Sequence, residues 1–130
     1  MTMKVSVTAR NALLQGVKDS LASRVLRILD TAQTDPDSQV GTVLAEITLP
    51  ASPFGSPSAG SMAMSGTWQD LSINATGTAA GFRLVGATSP FYNVCGSVTV
   101  TGGGGDMTVD TTSFVAGQSF AVTSCTLTCV

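Results

Sequence analysis

Apolar residues recur at two different periods along this chain of 130 residues, and the change of period divides it. In "ARNALLQGVKDSLA", residues 9–22, Leu13, Leu14, Val17 and Leu21 fall three or four apart, with Gln15, Lys18 and Asp19 between them. That spacing gathers the apolar side chains into one stripe of a helix. Gly16 weakens the helix by about 1 kcal/mol relative to alanine. "SRVLRILD", residues 23–30, can extend the stripe through Val25 and Ile28 or open the first strand. Its β-branched and long apolar residues favour the strand. "TVLAEITL", residues 42–49, alternates cleanly, with Val43, Ala45, Ile47 and Leu49 on one face.

After that, short apolar runs and turn residues take over. Strands are expected near 62–65, 71–75, 78–85, 94–100, 107–110 and 119–128, punctuated by glycines at 77, 86, 96, 102–105 and 117. "TAQTDPDSQVG", residues 31–41, is a loop, because Pro36 fixes its own backbone and pushes Asp35 away from helix. "PASPFGSPSAGS", residues 50–61, holds three prolines and two glycines and is expected to be an ordered loop or an exposed tip. Regularly spaced short strands predict a mainly β fold: an antiparallel β-sandwich, jelly-roll-like, with one short N-terminal helix. Residues 9–130 form a single domain in this reading, preceded by an arm at 1–8.

Composition adds an expectation about surroundings. The chain is 43% hydrophobic but only 11% charged, so its surface has little charge to keep it apart from neighbours. An assembled subunit, here a homo-oligomer on a larger scaffold, suits such a surface. The net charge of −2 conceals an asymmetry. Residues 1–30 carry five cations against two aspartates; the remainder carries Arg83 alone against six acids. The basic residues are spaced among apolar ones without a cluster or a stacking aromatic, which argues against nucleic acid and for a protein partner. No apolar run approaches a membrane span, and the start has no apolar core of a secretory signal, so no membrane partner is expected and folding is placed in a cytoplasm.

The chemistry available is narrow. There is no histidine, which removes the commonest general base and metal ligand. No carboxylate pair falls in a distinctive motif, and Asp35, Asp37, Asp106 and Asp110 do not have the spacing of a calcium loop. The chain is therefore read as neither an enzyme nor the holder of a cofactor or metal. "TGGGGDM", residues 101–107, lacks the lysine and following helix of a phosphate loop and reads as a flexible hairpin turn. Cys95, Cys125 and Cys129 are read as reduced, small hydrophobes.

The segments "VLRILDTAQTDPDSQVGTVLAEITL", "ATGTAAGFRLVG", "CGSVTV" and "GGDMTVDTTSFVAGQSFAVTS" come in that order. Together they resemble a family of small tailed-bacteriophage virion structural proteins, over most of residues 12–128. The sequence departs from the pattern at Leu29, where an aromatic is expected. The resemblance implies a compact antiparallel β-sandwich and a structural role in the virion, without fixing a place in it. A capsid cement or decoration subunit, bound to major capsid proteins, is the preferred expectation. A tail, neck or fibre component, which can bind a receptor or carbohydrate, is the alternative; exposed Trp68, Phe91 and Tyr92 would favour it.

Two sets of residues are singled out. Met1, Thr2, Met3, Lys4, Val5, Ser6, Val7 and Arg10, with Pro53, Phe54 and Pro57, are expected at interfaces. Val5 and Val7 alternate with Lys4 and Ser6, so this arm can add a strand to a neighbour's sheet or begin the chain's own. The second is Arg83, the only basic residue after Arg27, flanked by Phe82 and Leu84. Alternation puts it on the face away from them. Its planar fork suits a carboxylate or several carbonyl oxygens, so it is expected to be a structural staple, with Asp70, Asp106 or Asp110 as partner.

Overall fold

A computed structural model describes residues 4–36, 38–85 and 94–128. The chain enters through α1 (Val7–Leu21). Ser6 caps it, its hydroxyl accepting from the Ala9 N–H at 3.2 Å and so satisfying one donor of the first turn. Leu14 and Leu21 are buried with Val17 beside them, whereas Leu13 is 57% exposed. The helix begins two residues before the expected start at residue 9 because the Ser6 cap, not the apolar stripe, sets it. This corrects the arm: Val7 and Thr8 are helical, Lys4–Ser6 form no strand, and Met1, Thr2 and Met3 lie outside the described residues.

Among the described residues ten strands follow: β1 (Val25–Leu29), β2 (Val43–Thr48), β3 (Ser61–Ala63), β4 (Gln69–Asp70), β5 (Gly77–Thr78), β6 (Gly81–Val85), β7 (Val94–Val100), β8 (Met107–Val109), β9 (Ser113–Phe114) and β10 (Phe120–Thr128). The fold is mainly β with one N-terminal helix, as the patterning predicts. The expected strand at 71–75 is not formed. Its backbone instead fills a gap between elements: the Ile73 N–H donates to the Gln118 carbonyl at 2.7 Å, and the Asn74 and Ala75 N–H groups both donate to the Leu44 carbonyl. The predicted strand 78–85 is broken at Ala79–Ala80 into β5 and β6.

The main sheet runs in the order β2-β1-β6-β7-β8-β10-β3, with β4 also on β10; β5 and β9 make a separate ribbon. β4, attached at the far end of this order, approaches β2, so the sheet curls into a sandwich-like body around one core. The inner rows follow from register. Ile47, Leu26, Leu84 and Val94 are successive partners, and so are Ala45, Ile28, Phe82 and Gly96. A Cβ at Gly96 would stand 2.7 Å from the Phe82 ring, so glycine leaves the room the aromatic occupies.

The loop 50–61 departs from expectation in its middle. Pro53 and Phe54 are buried, not presented to a partner, and Pro57 is half-buried. Phe54 meets Trp68 edge-on, with ring centroids 5.3 Å apart. The physical reason is that Phe54 is the loop's one large apolar side chain, and the Gly55 N–H bond to the Ala63 carbonyl fastens the loop along β3, directing the ring inward.

The tetraglycine run is also different from a hairpin. β7 and β8 pair in parallel, Val98 with Met107 through Val100 with Val109. The chain must therefore double back within residues 101–106 and run up beside β7 again, where parallel strands ordinarily need a crossover of a dozen residues or more. Gly102 and Gly104 take left-handed φ values of 87° and 83°, and a Cβ at Gly103 would lie 2.7 Å from Thr99 Cβ. The Gly103 and Gly105 N–H groups turn back onto the Val100 carbonyl and the Thr99 hydroxyl.

Phe54→Ala should cost about 3–5 kcal/mol, the range for an emptied aromatic core site. Urea unfolding checks this: the midpoint falls with an unchanged slope. An unaltered midpoint would return Phe54 to the surface.

Candidate functional site

The site is built on the outer face of the four strands β2, β1, β6 and β7. Glu46, Arg27, Arg83 and Cys95 are consecutive register partners and form one row across that face. The loop between β1 and β2, residues 30–42, folds over this row. Each end of the loop is fixed by local chemistry. Asp30 Oδ1 accepts from the Thr42 N–H at 2.8 Å and from the Thr31 hydroxyl at 3.0 Å. These bonds hold the Asp30 carboxyl below its ordinary pKa, the Thr42 N–H being the main cause and Thr31 the second. Gly41 takes a left-handed φ of 84°, and a Cβ there would stand 2.4 Å from Thr31 Oγ1.

Inside the loop, Gln33 is buried and supplies three contacts. Its Nε2 donates to the Thr31 carbonyl at 2.9 Å and to the Val40 carbonyl at 2.7 Å, and its Oε1 accepts from the Val40 N–H at 3.3 Å. It closes the loop into a ring. Arg83, only 4% exposed, pushes its guanidinium into that ring. Nη1 is shared among the Asp35 carbonyl at 2.9 Å, the Ser38 carbonyl at 3.2 Å and Gln33 Oε1 at 3.3 Å; Nη2 donates to the Pro36 carbonyl. The cation is thus held by oriented backbone dipoles. The loop can approach because residue 81 is glycine: a Cβ there would be 2.7 Å from the Thr31 carbonyl and 2.9 Å from the Gln33 nitrogen.

The partners expected for Arg83 are corrected by this geometry. Asp70 accepts from the Ser72 N–H, Asp106 from the Ser97 N–H and hydroxyl, and Asp110 from the Ala121 N–H. Asp70 thus serves its own turn, and Asp106 and Asp110 each tie to a neighbouring strand. Arg27, beside Arg83 in the row, makes an ion pair to Glu46 at 3.6 Å and bonds Gln39 Oε1 at 3.0 Å. Exposed at 35% and 46%, that pair contributes under about 1 kcal/mol.

The other predicted site residues do not converge on one surface. Lys4, Val5, Ser6 and Val7 are exposed at the start of α1. Arg10 is half-buried on α1, and its Nε is buried without a hydrogen-bond partner. Helix and loop 50–61 do meet, where Asn11 Oδ1 accepts from the Gly60 N–H at 2.9 Å. Trp68 is fully buried, with its Nε1 donating to the Ser65 carbonyl; Phe91 and Tyr92 lie outside the described residues. Among the described residues no three His, Cys, Asp or Glu side chains gather. Gln33 escaped the sequence reading: a lone glutamine in a polar loop carries no signal of burial. Cys125 is buried, which pushes its thiol up to about 12, with the Asp106 charge as the lesser cause.

Comparison with protein-family models, with curated proteins and with solved structures finds no match to this chain.

Arg83→Ala should destabilise the fold by about 3 kcal/mol, because hydrogen bonds to a buried charge are lost and several loop carbonyls lose their donor. Arg83→Lys should restore less than half, since one ammonium cannot span the ring of oxygens. Thermal melts of both variants measure this, and full rescue by lysine would contradict the fork geometry. The Asp30 carboxyl, depressed in the fold, adds stability above its ordinary titration range, and that stability is lost as pH falls through its folded value. Asp30→Asn should therefore lower the melting temperature at neutral pH and narrow its difference from the parent in acid. The Cys125 thiol should resist alkylation in the native chain at pH values where an ordinary thiol reacts, and react on unfolding; peptide mass mapping reads both.

Proposed function

We propose that the protein is a structural subunit of a tailed-bacteriophage particle, seated on the capsid as a cement or decoration protein that binds neighbouring major capsid proteins. The order of the resembling segments supports the reading. The observation that carries it is the outer face of β7, β8, β10 and β3. Thr99, Thr108 and Ser124 are direct cross-strand partners there, and Thr126 and Thr128 continue the face opposite Ala63 and Ser61. The hydroxyls of Thr101, Thr123, Thr108 and Ser124 bond one another in sequence at 2.8, 2.7 and 2.6 Å. Satisfied among themselves, they can be covered by a neighbour without stranding donors. A sheet face depleted of charge has the composition of an interface centre rather than of a free surface.

The burial of Trp68 takes away one aromatic platform that a glycan-binding fibre component would use, which favours the capsid reading over that alternative. Copy number separates the two: hundreds per particle fit the capsid, a dozen or fewer the neck or tail tip.

Purified particles should contain the chain in hundreds of copies by quantitative mass spectrometry. Thr126→Lys, at an exposed position outside that hydroxyl series, should leave the melt within about 0.5 kcal/mol of the parent, yet weaken retention on particles by tenfold or more, since an unpaired charge is costly to bury. A chain that never co-sediments with particles would overturn the proposal.

A further inference from the structure

The same ring that holds Arg83 exposes one peptide bond to unusual electrostatics. Residues 35 and 36 are Asp-Pro. The Asp35 carbonyl oxygen accepts from two donors: Arg83 Nη1 at 2.9 Å and the Ser38 N–H at 3.1 Å. One donor is a buried cation. Both distances fall in the range at which donors stabilise an oxyanion. The nitrogen on the other side of this carbonyl belongs to proline, a tertiary amide with no N–H. Asp35 itself is at the exposed surface of the loop, where water reaches it.

We propose that the Asp35–Pro36 peptide bond is a self-scission site, with Arg83 and the Ser38 N–H as its oxyanion donors. An oxygen of the Asp35 carboxyl group bonds to the carbonyl carbon of the same residue, closing a five-membered ring. Negative charge gathers on the carbonyl oxygen, where the two donors already point. The bond from that carbon to the Pro36 nitrogen then breaks. Its electron pair stays on nitrogen, which takes up the proton that the carboxylic acid carried. The cyclic anhydride is opened by water. The products are residues 1–35, ending in an aspartate with a free α-carboxyl group, and a second chain beginning at Pro36. Water is the only co-reactant. The reaction consumes the acid form of the carboxyl, whose proton ends on the Pro36 nitrogen, so it runs faster in acid.

Arg83 is a catalytic residue in this step because it touches the reacting oxygen. Its contacts to the Pro36 and Ser38 carbonyls hold the leaving segment on the sheet. β1 lies between β2 and β6, so the two products remain one folded body after the bond is cut.

The test compares the folded chain with the urea-unfolded chain, both at about pH 4.5, just above the ordinary carboxylate range. Intact mass and N-terminal sequencing follow the products. The folded chain should release, on denaturation, fragments whose masses sum to the parent plus one water, with Pro36 as the new N-terminus. They should accumulate about 100-fold faster than from the unfolded chain, the scale of one oxyanion donor. Asp35→Asn and Pro36→Ala should abolish the cut. Arg83→Lys should fall to the rate of the unfolded chain. If that variant does not fold, the comparison of folded and unfolded parent decides alone. Cutting that is no faster in the folded chain, or that persists in Asp35→Asn, overturns the proposal.

Discussion

A buried guanidinium held by carbonyl oxygens is the constraint on which this structure turns. Arg83 sits on β6, the third strand from the β2 edge, on the face away from the core. A cation shielded from water must be surrounded by oxygen. The β1–β2 loop answers with three backbone carbonyls and the Gln33 side chain. Everything local follows from that need. Gly81 lets the loop come close, Gly41 lets it turn, Asp30 fastens its ends, and Gln33 keeps the ring shut. The arginine is less a charged residue in an apolar strand than the pin of a loop that covers a sheet face.

The rest of the body uses the same economy of charge. Asp70, Asp106 and Asp110 each accept from a backbone N–H, Asp70 within its own turn and the other two from a neighbouring strand. Hydroxyls replace charges across the outer face of β7, β8 and β10, where four side chains bond in series. Such a surface is polar enough to stay hydrated and uncharged enough to be covered. A bulge at Thr123 lets this face form, since it inserts one extra residue between Val122 and Ser124 and turns both hydroxyls toward Thr108.

Glycine has two different uses in the sheet. At positions 81 and 96 it makes space for a neighbour, a loop backbone in one case and the Phe82 ring in the other. Across 102–105 it makes a reversal tight enough to place β8 parallel to β7 after only six residues. Val98, Met107 and Val109 then enter the common core together. A hairpin at the same place would have given the opposite strand direction and a different sheet order.

Local pattern alone carried the helix, the mainly β class and most strand positions. Alternation assigned the right faces to Ala45, Ile47 and Leu49 and to the flanks of Arg83, because side-chain direction in a strand follows parity; it failed at Val43, which is half-buried while Leu44 enters the core, where the register with β1 shifts. It also determined that Arg83 would leave the core side and want a fork-shaped partner. Tertiary structure decided what that partner was. Carbonyls carry no residue identity, so no sequence signal distinguishes a loop that will wrap a guanidinium from one that will not; Gln33 is legible only once the loop has closed. Phe54 and Trp68 meet across fourteen residues of turn-rich chain, and their burial depends on where β3 docks on β10. The direction of β8 likewise rests on contacts made after the glycines, since a run free of side chains permits either return. Sequence set which face each residue can take, and packing set what that face meets.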